Sequence, residues 1–420
     1  MSVEDERGLL MRRKRSQADQ QIADLLATAR QSLELSVAFL SRMDGTTQHL
    51  EVVETSVPVL VQEGAKVRQD TSFCQAILEG RLPAVIPDVK RFPLAMSLPS
   101  ARIPRIRSYV STPVRLSDGS LYGTFCAFGF RSDKELGRRD LALMEVLASA
   151  AAVIVEPQVR EQERRTEIEG RLDPLVADGG PVVLLQPVVD LVTGTRVGAE
   201  ALSRFPAGWG RTPDVVFAEA HSVGMGHALE LQALERAAEH LDRVDGHVAM
   251  NVSPATVLVP GCAELLRRLP LDRVVLELTE HDEVEDYEVL LAALAPFRAA
   301  GLRLAIDDVG AGFSSLRHIV VTSPDVIKLD RSIAAGVADD RVLATLVGSL
   351  VTFAHGSGAT VVAEGVETAD DATTLRALGV DHGQGWHFGR PGPPEALAVP
   401  APRPPVGARP ADFPSAALSR

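Results

Sequence analysis

The sequence predicts an α/β barrel of the TIM type preceded by a smaller α+β domain, and three observations carry that expectation. The chain has 420 residues and is 45% hydrophobic, more than a single core usually organises. Beyond residue 170, short β-branched runs alternate with helical patterns, as in a parallel sheet or barrel. Between the two regions lies "EPQVREQERRTEIEGRLDP", dense in charge and poor in large apolar residues, which suits a connector.

Residues 1–15 read as an N-terminal arm, because the basic "MRRKR" is followed by polar "SQADQQ" where a secretory signal would place an apolar core. Ile22, Leu25, Leu26, Ala29 and Leu33 recur at helical spacing over 16–35. "VAFLSRMDGTTQHLEVVETS" and "SYVSTPVRLSDGSLYGTFCAFGF" each read as two strands around an Asp-Gly turn. Between them "DTSFCQAILEG" reads as a helix capped by Asp70 or Thr71 and stopped at Gly80. From Asp140 a second helix carries Leu143, Val146, Leu147, Ala150, Ala151 and Ile154 on one stripe, and Pro157 is expected to kink or end it. The first domain thus spans 16–155 and the helical connector 156–170.

The barrel spans 171–393. Its strands are "PVVLLQPVVDL", "VGAEALSRF", "HVAMNVSP", "RVVLELTE", "RLAIDDVG", "DVIKLD", "TVVAEGVE" and "DHGQGWHF". Polar residues at strand ends fall at 200, 251, 277, 307, 328, 364 and 384, in steps of 51, 26, 30, 21, 36 and 20 that suit βα units. An open doubly wound sheet is the alternative, but its Gly-rich dinucleotide turn after the first strand is missing. Over 394–420 prolines and alanines dominate, and a disordered tail is expected.

The net charge of -13 opposes binding to polymeric nucleic acid or anionic lipid, both of which need a basic face. The most apolar stretch, "LALMEVLASAAAVIVEP", is broken by Glu145 and ends at Pro157, so no membrane partner is expected. Cys74, Cys126 and Cys262 lie far apart with no zinc spacing, and the histidines show none either. A cytoplasmic protein fits best.

Alternate residues of a strand share a face. Asn251, Glu277, Asp307, Lys328 and Glu364 each end an apolar run at inward parity. In a barrel this gathers them with Glu200 at the C-terminal mouth, where such folds hold active sites. Asp308 reaches the same mouth only if the chain curls off the strand, which Gly310 and Gly312 would permit. The five carboxylates Glu200, Glu277, Asp307, Asp308 and Glu364 repel one another, and divalent cations are the natural compensation. Oxygen donors without histidine or thiolate suit Mg²⁺ or Mn²⁺. Adjacent aspartates supply one ligand that bridges two ions and one that holds the second. Any one carboxylate alone reads more simply as a helix cap or a solvated strand end; six matched strand ends do not.

"EALSRF", "MNVSP", "ELTE", "IDDVGAGFSSL", "VIKLD", "AEGVE" and "QGWHFGRP" together resemble the motifs of EAL-type cyclic-di-GMP phosphodiesterases, over about 171–393. The resemblance implies hydrolysis of cyclic-di-GMP to linear pGpG on a modified TIM barrel with two divalent metal ions, Mg or Mn, in a homodimer. By motif position Glu200, Asn251, Glu277 and Asp307 would hold one ion and Asp307, Asp308 and Glu364 the other. Lys328 would act as general base or orient hydroxide, a role that needs a lowered pKa or metal assistance. Lys328, Glu364 and Glu200 are thus the catalytic set it implies. Gln186, Arg204 and Gln384 match positions that contact the dinucleotide. Glu280 matches a loop anchor, Asp330 shares the face of Lys328, and Glu367 fits either a supporting role or an ordinary surface position. Val309 replaces the usual phenylalanine, Trp386 replaces tyrosine, and Ala311 is a permitted variant; none removes a ligand.

Residues 16–155 resemble GAF sensory domains through "DTSFCQAIL", "IPDV" and the second hairpin, which implies an unidentified small-molecule ligand or signal. Phe73, Tyr109, Tyr122, Phe125 and Phe128 are available for a pocket, though at strand parity such aromatics suit a core equally. Cys74 and Cys126 are either redox sensors or core packing. No cyclase motif is present. A non-catalytic cyclic-di-GMP receptor is the competing reading, and intact Glu200, Asp307, Asp308, Lys328 and Glu364 favour the enzyme. A barrel glycosidase needs only two acids and usually aromatic platforms, whereas this chain is 4% aromatic.

Overall fold

The computed structural model describes residues 15–57, 61–99, 105–278, 284, 286–310 and 315–398, with 315–318 as backbone only. The expectations for the arm before Arg15, for Glu280, Ala311 and Gly312, and for the tail beyond residue 398 lie outside the described residues. Two compact units divide near residue 164.

In the first unit the helix Gln17–Ser32 starts at a capping box, Ser16 accepting from the Asp19 amide while Asp19 accepts from the Ser16 amide. Six strands follow: β1 (Val37–Met43), β2 (Thr47–Thr55), β3 (Lys66–Arg68), β4 (Val85–Ile86), β5 (Ser108–Arg115) and β6 (Leu121–Gly129), in the order β3-β2-β1-β6-β5-β4. Both expected hairpins form, with Gly45 and Gly119 at positive φ in their turns. Residues 69–71 form a 3₁₀ turn, so the cap of the helix Phe73–Leu78 is Ser72 rather than Asp70 or Thr71; its hydroxyl accepts from the Gln75 amide. Phe73, Tyr109, Phe125 and Phe128 are core residues, with Phe73 stacked on Tyr109 at 4.8 Å. Cys74 and Cys126 are buried with their Sγ atoms 3.2 Å apart.

The helix Arg138–Ala177 is unbroken. Pro157 neither ends nor interrupts it, because a helix held by tertiary packing tolerates one lost hydrogen bond. Met144, Leu147, Ala148, Ala151, Ala152 and Val155 are its buried face, while Val146, expected on that stripe, is 67% exposed. Further along, Ile168 and Leu172 pack with Val216, Ala220 and Leu229 in the second unit. The helix contains one window of mean hydropathy 1.5, long and apolar enough to cross a membrane by composition, of which 33% is buried.

The second unit is a closed eight-stranded barrel of β7 (Val182–Asp190), β8 (Arg196–Arg204), β9 (His247–Asn251), β10 (Val274–Leu278), β11 (Arg303–Val309), β12 (Val326–Leu329), β13 (Thr360–Ala363) and β14 (His382–Gly383). Its sheet is not all parallel: β7 runs antiparallel to both β8 and β14. The cause is local, since β7 and β8 are joined by a tight turn in which Asp190 accepts from the Val192 and Thr193 amides, leaving no room for a crossover helix. Outward-facing strand residues such as Leu276, Leu304, Ile306, Ile327 and Val361 pack against helix residues Leu290, Leu294, Val347 and Val351. At the end of the barrel, Pro394–Ala398 form a 3₁₀ turn with Leu397 buried, so order persists a few residues into the segment expected to be disordered.

Candidate functional site at the barrel mouth

The inward residues of the barrel stack in layers, as alternation requires. Val188, Ala249, Val275, Ala305, Val326 and Val362 form a separate apolar cluster in the middle. One pleat further along each strand, toward the C-terminal end, come Gln186, Glu200, Asn251, Glu277, Asp307, Lys328, Glu364 and Gln384. This apolar layer lies beneath the polar residues.

Lys328 is the hub of this layer. Only 2% exposed, its Nζ lies 2.6 Å from Glu364 Oε1, 2.9 Å from Glu277 Oε2, 3.1 Å from Asp307 Oδ1 and 3.5 Å from Glu200 Oε2. Glu200, Glu277 and Asp307 are themselves buried. Carboxylate oxygens of Glu200, Glu277 and Asp307 lie within 4.8 Å of one another, as do those of Asp307, Asp308 and Glu364. Two groups that could each hold a cation thus share Asp307.

The backbone explains why adjacent aspartates face one space. Between Ile306 and Val309 strand β11 takes one residue more than its partner β12, a bulge, and Asp308 has φ of +57°. The curl therefore lies at Asp308 itself, one residue before the region where Gly310 and Gly312 were expected to supply it. The Asp308 amide donates to Asp307 Oδ1 at 2.9 Å, and aspartate is among the few side chains that tolerate this conformation. Asp308→Gly should exceed Asp308→Ala in stability by about 1 kcal/mol in urea denaturation, because only glycine enters the left-handed region without cost. Equal stabilities would deny the bulge.

Around the hub, Asn251 Nδ2 donates to Glu200 Oε1 at 3.0 Å, and Gln384 Nε2 donates to Glu200 Oε2 and to Gln186 Oε1. Gln186 in turn donates to the Gly389 carbonyl. Gln384 Oε1 is buried without a hydrogen-bond partner, an orphaned acceptor beside the acidic group. Arg204 ends β8 on the same face as Glu200 and donates to the Ser203 carbonyl. Asp330 does not support Lys328. It caps the helix Arg331–Ala334 by accepting from the Ser332 amide, because the chain leaves the strand there. Glu367 pairs at 2.8 Å with exposed Arg331, which makes it a surface group. Trp386 is 53% exposed beneath the Arg390 guanidinium, and Val309 is buried.

One ammonium cannot offset so much negative charge. Burial pushes Glu277 well above the carboxylate range and Glu364 up to about 8, against the attraction of Lys328. Glu200, despite its burial, is held below its usual value by Lys328 and by the hydrogen bonds from Gln384 and Asn251. Burial alone would lower the Lys328 pKa, but the attraction of Asp307, Glu200, Glu277 and Glu364 raises it well above the ordinary lysine value. Lys328 in this arrangement is an ammonium, so a lowered pKa, one of the two routes to a general base, is not met. The donor set is all oxygen, it is acidic beyond what one lysine neutralises, and it divides into two sharing groups; it fits two hard divalent cations.

The opposite end of the same strands carries polar side chains as well. His247, Arg303 and His382 face inward two pleats before Asn251 and Asp307 and one pleat before Gln384. The alternation that located the mouth also locates them.

An eight-stranded α/β barrel with an acidic, lysine-centred mouth defines the class of fold and site. Residues 170–391 match the EAL domain model, and 17–155 match the GAF domain model. The chain belongs to the EAL domain family, with a GAF domain at its N-terminal side. It is 33% identical over 293 residues to an uncharacterised protein of Azorhizobium caulinodans, a match covering 63% of this chain and 39% of that protein. It is 29% identical over 238 residues to the probable cyclic di-GMP phosphodiesterase PdeB of Escherichia coli, covering 54% of this chain and 45% of PdeB. The chain thus spans less than half the length of these relatives. The EAL domain of Xanthomonas citri FimX, solved in complex with c-diGMP, matches in fold with a TM-score of 0.50 at 22% identity, over 56% of this chain and 96% of that one.

Proposed function

We propose that this chain hydrolyses cyclic-di-GMP to linear pGpG with two divalent ions, Mg²⁺ or Mn²⁺. The observation that carries the proposal is the pair of carboxylate groups sharing Asp307 around Lys328. Glu200, Asn251, Glu277 and Asp307 would hold one ion, and Asp307, Asp308 and Glu364 the other. Bound there, the ions would make water a nucleophile at neutral pH and offset charge on the scissile phosphate.

The protein's own part is orientation and electrostatics. Lys328, as an ammonium, donates hydrogen bonds that would hold the attacking water in line and stabilise charge developing on the phosphate oxygens. The apolar layer of Ala249, Val275, Ala305, Val326 and Val362 lowers the local polarity below the site, which strengthens these interactions. The Arg204 fork suits a phosphate oxygen, and Gln186 and Gln384 present amide groups to the dinucleotide. Water attacks phosphorus, one P–O3′ bond breaks, and the 3′ oxygen leaves with a proton, opening the ring.

The GAF domain, taken as residues 16–155, would regulate this barrel in response to a small-molecule ligand or signal through the connector at 156–170, in a cytoplasmic homodimer. The test is to incubate the purified chain with cyclic-di-GMP and Mn²⁺ or Mg²⁺ and separate the products. Linear pGpG that disappears with chelator supports the enzyme. Saturable binding with no product would make the barrel a receptor.

A further inference from the structure

A cavity of about 420 Å³ opens at the N-terminal end of the barrel, opposite the mouth, lined by Arg303, His247, His382, Arg273 and Asp272. Three of these are the inward residues of their strands. Arg303 opens β11, His247 opens β9 and His382 opens β14, so the bottom layer is basic and polar where barrel floors are usually filled by branched apolar side chains.

Arg303 is half-buried, yet no carboxylate lies within ion-pair distance of its guanidinium and it makes no hydrogen bond among the described residues; it feels Asp325 and Asp272 only at longer range. Asp325 is engaged elsewhere, accepting from Arg298 and from the Leu304 amide. None of its nitrogens is buried without a partner, so its donors face the open cavity and are free to meet a ligand. Arg273 beside it is braced, donating through Nε to the Gly246 carbonyl at 3.0 Å and through Nη2 to the Val244 carbonyl. The two imidazoles line the same space as neutral rings, since burial lowers the pKa of both, and His247 is hydrogen-bonded to the Val197 backbone. Asp272 on the wall opposes part of this charge and offers an acceptor.

We infer that this floor cavity binds a small hydroxylated phosphate, its anionic group held by the Arg303 fork, and a hydroxyl of its organic part donating to Asp272. The fork of a guanidinium matches a phosphate edge. The volume exceeds that of a bare oxyanion, which leaves room for a short carbon chain against Val197 and Gly246. Arg303 lies four residues before Asp307 on β11, so the site is at the opposite end of the barrel from the carboxylate groups around Lys328.

The probe is 3-phosphoglycerate, titrated calorimetrically into the full chain after EDTA treatment, so that the acidic mouth repels it. One saturable site per chain is expected, weakened about tenfold or more, about 1.4 kcal/mol, by Arg303→Met and partly recovered in Arg303→Lys. Asp272→Asn should weaken binding severalfold with an unchanged melting curve, because the ligand hydroxyl loses its charged acceptor. No saturable heat, or wild-type affinity in a folded Arg303→Met, would overturn the assignment. Unchanged or tightened binding in Asp272→Asn would overturn the orientation given to the ligand. Because each readout is binding without metal, these outcomes are separate from the hydrolysis test.

Discussion

Glu200→Ala is expected to abolish the proposed hydrolysis of cyclic-di-GMP while leaving the fold intact. The side chain is 5% exposed and touches Lys328, Asn251 and Gln384, but it belongs to a cluster with a surplus of negative charge. Its removal leaves Lys328 ion-paired to Glu277, Asp307 and Glu364, so loss of one attraction is offset by relief of repulsion. Stability should therefore change by less than about 1 kcal/mol. Activity should fall by at least about 10²–10³-fold, the effect of deleting one preorganised electrostatic group. Product formation within a few-fold of wild type, in a variant with an unchanged melting curve, would remove Glu200 from the site.

Lys328→Met should do the reverse for stability. Lys328 is among the largest fully buried side chains and is ion-paired to four carboxylates. Methionine fills its volume but leaves those groups without a cation, and breaking a buried pair typically costs about 3–5 kcal/mol. In EDTA the variant should melt well below wild type. Saturating Mn²⁺ should recover most of that loss and raise Tm more in the variant than in wild type, since a cation that binds only the folded chain stabilises it by mass action. Turnover should remain depressed with substrate affinity nearly unchanged, the pattern of a group that acts mainly in the transition state. Equal melting of the two proteins in EDTA would mean that the carboxylates are not held together by this lysine.

The sequence was most legible where strand alternation sets the answer. Ala249 and Asn251, Val275 and Glu277, and Ala305 and Asp307 fall on one face because period-2 geometry leaves no choice within a strand. Local turn chemistry was harder to read. The short β7–β8 connection that makes β7 antiparallel lay within a run read as two members of a repeated unit. The left-handed Asp308 is a conformation that aspartate permits without demanding, so glycines further along drew the inference instead. Asp330 has inward parity on paper, but the strand ends at Leu329 and parity has no meaning beyond it. Pro157 and Val146 failed for a related reason: in the 40-residue helix Arg138–Ala177, tertiary contacts rather than propensity decide what is tolerated and which face is buried. His247, Arg303 and His382 obeyed the same alternation but lie at strand starts, where attention to the catalytic end of a barrel does not reach.

The most direct measurement is anomalous diffraction from crystals of the chain grown with Mn²⁺. Two Mn²⁺ peaks are expected at the barrel mouth, one among Glu200, Glu277 and Asp307 and one among Asp307, Asp308 and Glu364, with Asp307 contacting both. A single peak, or Mn²⁺ located away from Asp307 while Lys328 keeps its ion pairs, would contradict the dinuclear site.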